Sequence, residues 1–254
     1  MIRKLLYCFV ILAFFGLKTQ AQVDQSPAVG IIEHLGETVP LDLKFVNEKS
    51  QTVTLRQLIT KPTILSFVYF DCPGLCSPLL EGVGTVIQKS DLVLGKDYQV
   101  ITISFNFRDT PEKANLKKTR FVEKYSKGKG DGWIFLTTDS ASIFEITTKT
   151  GFITKAVGLD FVHPSAIIAI SPEGKITRYL YGINFLPIDF KLAITEASEG
   201  QVNASIKKLL LVCYSYDDGT KRFGLDVTKI SGILIVFFLL IFIFIYLIKP
   251  KRKN

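Results

Sequence analysis

Residues 63–70 read Thr-Ile-Leu-Ser-Phe-Val-Tyr-Phe, an almost wholly apolar, β-rich run. A run of this length and composition is expected of a central strand buried on both faces, and strands of that kind belong to parallel sheets covered by helices. One residue after the run comes Cys72-Pro-Gly-Leu-Cys76. The two thiols therefore stand at the carboxyl end of a buried strand, where open α/β sheets present reactive or ligand-binding groups. A helix starting near Cys76 would offer orphan N–H groups and a positive dipole end, which lower the pKa of a nearby thiol.

The flanking pattern fills in the layers. Residues 40–58 alternate apolar and polar positions around Asn47-Glu-Lys-Ser50, a hairpin whose second strand runs into a short turn and which adds to the core from its amino side. Downstream follow a helix over 79–89, a strand over 98–105 and a helix from Thr110-Pro-Glu to about Tyr125 with Pro in its first turn. A Lys/Gly loop over 126–132, a short strand over 133–136 and a helix over 139–149 come next. Residues 166–170 and 175–180 flank the turn Ser171-Pro-Glu-Gly174, and a helix over 189–197 closes the series. This order predicts an α/β domain of thioredoxin-like architecture with an N-terminal β-hairpin extension.

Both ends of the chain carry apolar segments. Arg3 and Lys4 precede an apolar run over 5–17, and Thr19-Gln-Ala21 places small residues where a signal peptidase reads, so 1–21 is read as an export signal. Residues 230–248 are nineteen without a charge, followed by Lys249, Lys251, Arg252 and Lys253. That length and basic flank predict one C-terminal transmembrane helix over 230–248 with a cytoplasmic tail at 249–254. The domain at 22–229 is then expected outside the cytoplasmic membrane, single-pass anchored, and periplasmic if the cell is Gram-negative. Seven basic residues lie in these two end segments, and removing them from the net charge of +8 leaves +1. A nucleic-acid binder carries its basic excess on the folded domain, so that class is excluded.

With Cys8 inside the export signal, three cysteines remain. Three cannot all pair within one chain, which points to chemistry more than to a disulfide framework. Three intervening residues leave Cys72 and Cys76 able either to close a disulfide or to splay around one ion. Two thiolates need a further ligand, and a neutral imidazole is the natural one; soft sulfur with imidazole suits copper, while zinc also accepts such donors. Of the two histidines, His163 lies in Asp160-Phe-Val-His-Pro-Ser165, a loop feeding a core strand, whereas His34 falls in a polar leader expected to be mobile. Cys213 follows the apolar 209–212 and reads as a buried thiol, with a third sulfur ligand or a resolving cysteine as its functional alternatives.

Taken with Ser104-Phe-Asn-Phe-Arg-Asp-Thr-Pro111, Asp131-Gly-Trp-Ile-Phe-Leu136, Ser171-Pro-Glu-Gly174 and the stretch from Tyr181-Gly182 to Glu196-Ala-Ser-Glu-Gly200, the Cys pair and His163 resemble the Sco/SenC family. Its members assist assembly of the copper centre of respiratory oxidases. The resemblance implies copper binding by Cys72, Cys76 and His163, a thioredoxin fold, and a partner that is either the copper-receiving oxidase subunit or another thiol protein. It also resembles a carboxyl-anchored subgroup through Cys213-Tyr-Ser-Tyr-Asp-Asp218. Two departures stand out: Asn106 replaces a usual acidic residue, and Ser77-Pro78 replaces a proline directly after the second cysteine. The competing reading, from a different class, is a metal-free thiol-disulfide oxidoreductase using Cys72 and Cys76.

Overall fold

The computed structural model describes residues 29–72, 74, 76–125, 132–158, 160–203, 214–217 and 222–225, together with 235, 238, 239, 241 and 242. In chain order the elements are β1 (Gly30–Ile31), β2 (Lys44–Asn47), β3 (Thr52–Thr54), α1 (Leu55–Leu58), β4 (Thr63–Val68), α2 (Cys76–Lys89), β5 (Gln99–Ser104), α3 (Pro111–Tyr125), β6 (Trp133–Thr137), α4 (Ser140–Lys149), β7 (Phe152–Ile153), β8 (Lys155–Val157), β9 (Asp160–Val162), β10 (Ala166–Ile170), β11 (Ile176–Tyr181), α5 (Pro187–Ser198), β12 (Tyr214–Asp217) and β13 (Arg222–Leu225).

Seven strands form the main sheet in the order β11-β10-β4-β5-β6-β2-β3. β4 pairs parallel with β5 and β5 with β6, while β10 runs antiparallel to both β4 and β11. A strand-helix-strand unit joined to a hairpin and a closing helix, in the spatial order β5-β4-β10-β11, is the thioredoxin arrangement. The expected hairpin extension is β2–β3, added beyond β6 and running directly into α1, whose start Thr54 and Gln57 close as a reciprocal capping box.

Every residue of β4 and of β5 is buried, as a strand covered on both faces requires. Their polar residues pair with one another: Ser66 and Thr102 share a hydrogen bond of 2.9 Å between β4 and β5, and the Trp133 indole N–H donates to the same Thr102 oxygen at 2.9 Å. The sheet interior thus contains polar side chains without leaving them unsatisfied. Helix α2 packs on both α3 and α5, so these three form one layer. The approach of α2 to α3 depends on Gly84, where a Cβ would lie 2.4 Å from the Tyr125 ring.

Among the described residues no helix is long and apolar enough to cross a membrane. The longest described helix, α3, has 15 residues and a polar exposed face, against about 20 consecutive apolar residues for a span. The expectation of one C-terminal transmembrane helix over 230–248 is corrected accordingly, and with it the single-pass placement in a cytoplasmic membrane that rested on it. Most of 230–248 lies outside the described residues, as do the export segment 1–21, the tail 249–254 and Cys213.

Two further differences come from local chemistry. Helix α2 begins at Cys76 and not at 79, because Pro78 falls in the first turn, where its missing N–H has no partner to lose. The segment before His163 is not a simple loop: β8 and β9 form a two-stranded antiparallel ribbon separate from the main sheet, with Lys155 opposite Val162 and Val157 opposite Asp160.

Candidate metal centre

Cys72, Cys76 and His163 come together at the end of β4, with their ligand atoms all within 4.8 Å of one another. Cys76 is buried and Cys72 half-buried, and no disulfide joins them. The Cys76 sulfur lies 3.4 Å from His163 Nε2 and accepts the Tyr69 N–H at 3.4 Å. The Cys72 N–H donates to the Tyr69 carbonyl at 3.3 Å, and the Cys72 sulfur accepts the Gly74 N–H at 3.3 Å. The backbone thus turns sharply at Tyr69 and aims both sulfurs to one side.

His163 Nδ1 lies 2.9 Å from the Pro164 carbonyl. A carbonyl can only accept, so Nδ1 carries the proton and the Nε2 lone pair faces the cysteines. Burial pushes the imidazole below its ordinary pKa against the opposing effect of that carbonyl bond, which keeps it neutral and able to ligate. The ring is walled by Phe105 and Phe152, with centroids 5.2 Å and 6.5 Å away, and by the edge of Tyr69 at 6.3 Å.

The two thiols are electrostatically unlike. Burial pushes Cys76 well above the ordinary thiol range, and the Tyr69 N–H offsets only part of that. Burial also raises Cys72, but the N–H groups of Cys76 and Gly74, the Cys76 thiol and the Tyr69 hydroxyl together bring it below its ordinary value. The helix start at Cys76 therefore acts on the sulfur of Cys72, which approaches the first N–H of α2, while Cys76 itself is too deeply buried to benefit.

Several residues around the cluster carried no signal strong enough to single them out in the sequence. Asp109 has a fully buried carboxylate that accepts the Phe70 N–H at 2.7 Å and the Ser104 hydroxyl at 2.6 Å, so it ties the end of β5 to the strand end bearing the cysteines. Lys113 approaches it at 3.7 Å and also pairs with Asp71. Asn106, in place of the acidic residue, accepts from the N–H and Nε of Arg108 and shapes the turn that delivers Asp109. The Tyr69 hydroxyl donates to Asp160 Oδ1 at 3.2 Å. His34 is excluded from the cluster and is tied to the domain: its N–H meets the Tyr179 hydroxyl at 3.1 Å and its Nδ1 meets the Lys149 carbonyl at 3.1 Å.

Comparison with known proteins agrees with this geometry. The SCO1/SenC family matches residues 35–187. The SCO1 protein homolog of Bacillus subtilis (strain 168) is 28% identical over 149 residues, which is 57% of this chain and 75% of that protein. A solved structure from Aquifex aeolicus VF5 is 33% identical, with a TM-score of 0.59 over 66% of this chain and 95% of that one. The copper-bound ScoI of Arabidopsis thaliana shares the fold at 20% identity and a TM-score of 0.52, over 65% of this chain and 99% of that one. The family match covers more than half of the sequence and takes in Cys72, Cys76 and His163, and on that ground the chain belongs to the SCO1/SenC family.

Proposed function

We propose that this protein binds one copper ion through the Cys72 and Cys76 sulfurs and His163 Nε2, and that it serves assembly of the copper centre of a respiratory oxidase by passing the ion to the copper-receiving subunit. The observation that carries this reading is the convergence of two sulfurs and an imidazole lone pair within 4.8 Å, with the imidazole held neutral and in the ligating tautomer. Two thiolates and an imidazole are a soft donor set, suited to Cu(I). Three donors complete a trigonal site for that ion, whereas structural zinc takes four protein ligands. Copper is the cargo here, and the residues of the chain set its capture and release. Binding displaces the proton that burial keeps on Cys76. Cys72, half-exposed, is the ligand an acceptor thiol can replace first, so release proceeds by exchange at its sulfur.

The asymmetry of the thiols also supports a thiol-exchange role towards the same subunit or another thiol protein. In that step the Cys72 thiolate attacks one sulfur of a partner disulfide, the partner's other sulfur leaves as a thiolate, and Cys76 then displaces the first sulfur to close Cys72–Cys76. Two electrons pass to the partner, one disulfide is reduced and one is formed.

Copper titration of the reduced chain, beside His163→Ala and Cys72→Ser/Cys76→Ser, tests the first reading. One copper per chain, lost in the double cysteine variant and weakened in His163→Ala, is expected. No specific copper in the unaltered chain, together with a reversible Cys72–Cys76 disulfide, would overturn copper delivery and leave thiol exchange.

A further inference from the structure

His163 is delivered by a thinly anchored ribbon. The β8–β9 ribbon joins no strand of the main sheet. All three residues of β8 are exposed, and in β9 only Phe161 is half-buried. The ribbon nevertheless has to place an imidazole within 3.4 Å of a buried sulfur. On the core side, two of its residues meet Tyr69: the Phe161 ring packs edge-on at 5.5 Å between centroids, and Asp160 Oδ1 accepts the Tyr69 hydroxyl proton at 3.2 Å.

Tyr69 is buried just beyond β4 and already holds the dithiol through its backbone, its N–H on the Cys76 sulfur and its carbonyl on the Cys72 N–H. One residue therefore touches both cysteines with its main chain, and its hydroxyl reaches both the Cys72 sulfur and the histidine-bearing ribbon. A phenol in this position contributes something a phenylalanine would not, because the ring fills the same space and only the hydroxyl reaches Asp160. We propose that the Tyr69–Asp160 hydrogen bond is a latch that fixes the β8–β9 ribbon, and so His163, over the Cys72–Cys76 pair, making Tyr69 a positioning residue for metal capture. The ribbon-fixing part stands on geometry alone; its consequence for copper rests on the copper reading above.

The test uses Tyr69→Phe, Asp160→Ala and the double variant of the full chain, with one readout that involves no metal and one that does. Hydrogen exchange on the reduced, metal-free protein follows the amides of 155–157 and 160–162, and the imidazole resonances of His163 are followed by NMR, His34 being the internal reference. Each single variant is expected to exchange in the ribbon about tenfold faster, the effect of one lost hydrogen bond, and to broaden or shift the His163 signals while those of His34 stay. In ribbon exchange the double variant should be no worse than either single one, because for the ribbon both changes remove the same bond. Copper affinity should fall by about that factor in Asp160→Ala and by at least as much in Tyr69→Phe, which also loses the hydroxyl's contact with Cys72, with one ion still bound through the thiols.

Unchanged ribbon exchange in Tyr69→Phe overturns the latch, whatever copper does. Faster exchange with unchanged copper affinity overturns the positioning role. A ribbon effect in Tyr69→Phe that Asp160→Ala does not reproduce assigns the hydroxyl to Cys72 alone and also overturns the latch. Faster exchange in a chain that takes up no copper at all upholds the latch and defeats the copper reading instead.

Discussion

Cys76 opens a fourteen-residue helix that buries half of its residues in the core, and Cys72 hangs from a strand buried along its whole length. His163 instead follows a three-residue strand with two exposed side chains. The three candidate ligands therefore come from opposite ends of the range of local stability within one domain. A thiol pair on rigid elements can be held ready at fixed spacing, while an imidazole on a thin ribbon can approach or withdraw at small cost. The difference separates two kinds of substitution: those on the cysteine side act on folding, and those on the histidine side act on the site while leaving the fold intact.

The largest expected effect lies in the strand that carries the cysteines. Phe67 is fully buried in β4, with its ring 4.8 Å from that of Phe152. Phe67→Ala should cost about 3–5 kcal/mol by loss of burial and creation of a cavity, measured by urea or thermal unfolding. A loss below about 1 kcal/mol would show that the cysteine side is no better anchored than the ribbon. Next comes Asp109, whose carboxylate is the acceptor for both the Phe70 N–H and the Ser104 hydroxyl. Asp109→Ala leaves two buried donors without that acceptor and should cost about 2–3 kcal/mol. It should also speed alkylation of Cys76 in the folded protein, since the strand end at Phe70 is then released. Loss of stability without a change in Cys76 reactivity would confine Asp109 to a structural role.

On the other side of the comparison, Phe161 is half-buried and packs on Tyr69 and Phe105. Phe161→Ala should cost only about 1 kcal/mol in unfolding experiments. Its effect on copper affinity should be at least as large as that on stability, because the ring steers the ribbon. If the variant unfolds as readily as Phe67→Ala, the ribbon is part of the core and the distinction between the two sides fails.

The same contrast explains what could be read from the sequence. β4, β5 and the β10–β11 hairpin were legible because burial on both faces imposes an apolar composition and the turn Ser171-Pro-Glu-Gly174 has its own chemistry; Gly174 takes a φ of 87° there. The Cys pair was legible because a strand end followed by a helix start is a known place for reactive groups. β7, β8 and β9 were not, since strands of two or three residues with exposed side chains carry no periodicity. Tyr69 and Asp160 are 91 residues apart, and their hydrogen bond has no local trace in the sequence. Which of the two thiols is lowered was not legible for a different reason: proximity to a helix start was visible, but the burial that raises Cys76 and leaves the benefit to Cys72 follows from tertiary packing alone. The apolar stretch at 230–248 shows the converse, a strong compositional signal that no described helix matches.

The smallest effect belongs to the outward face of the ribbon. Val157 is 55% exposed and Val162 50% exposed, so replacing either by Thr keeps the β-branched shape while removing little buried apolar area. Each should change stability by no more than about 0.5 kcal/mol, and neither should alter copper affinity, because both side chains are largely solvent-exposed while Asp160 and Phe161 make the contacts to Tyr69. A copper affinity sensitive to Val162→Thr, with stability unchanged, would mean that the strand of the ribbon itself tunes His163 independently of Tyr69. The imidazole would then be positioned by the conformation of 160–163 and not by its tie to the cysteine loop, and the two halves of the site would be energetically independent despite lying within hydrogen-bonding distance.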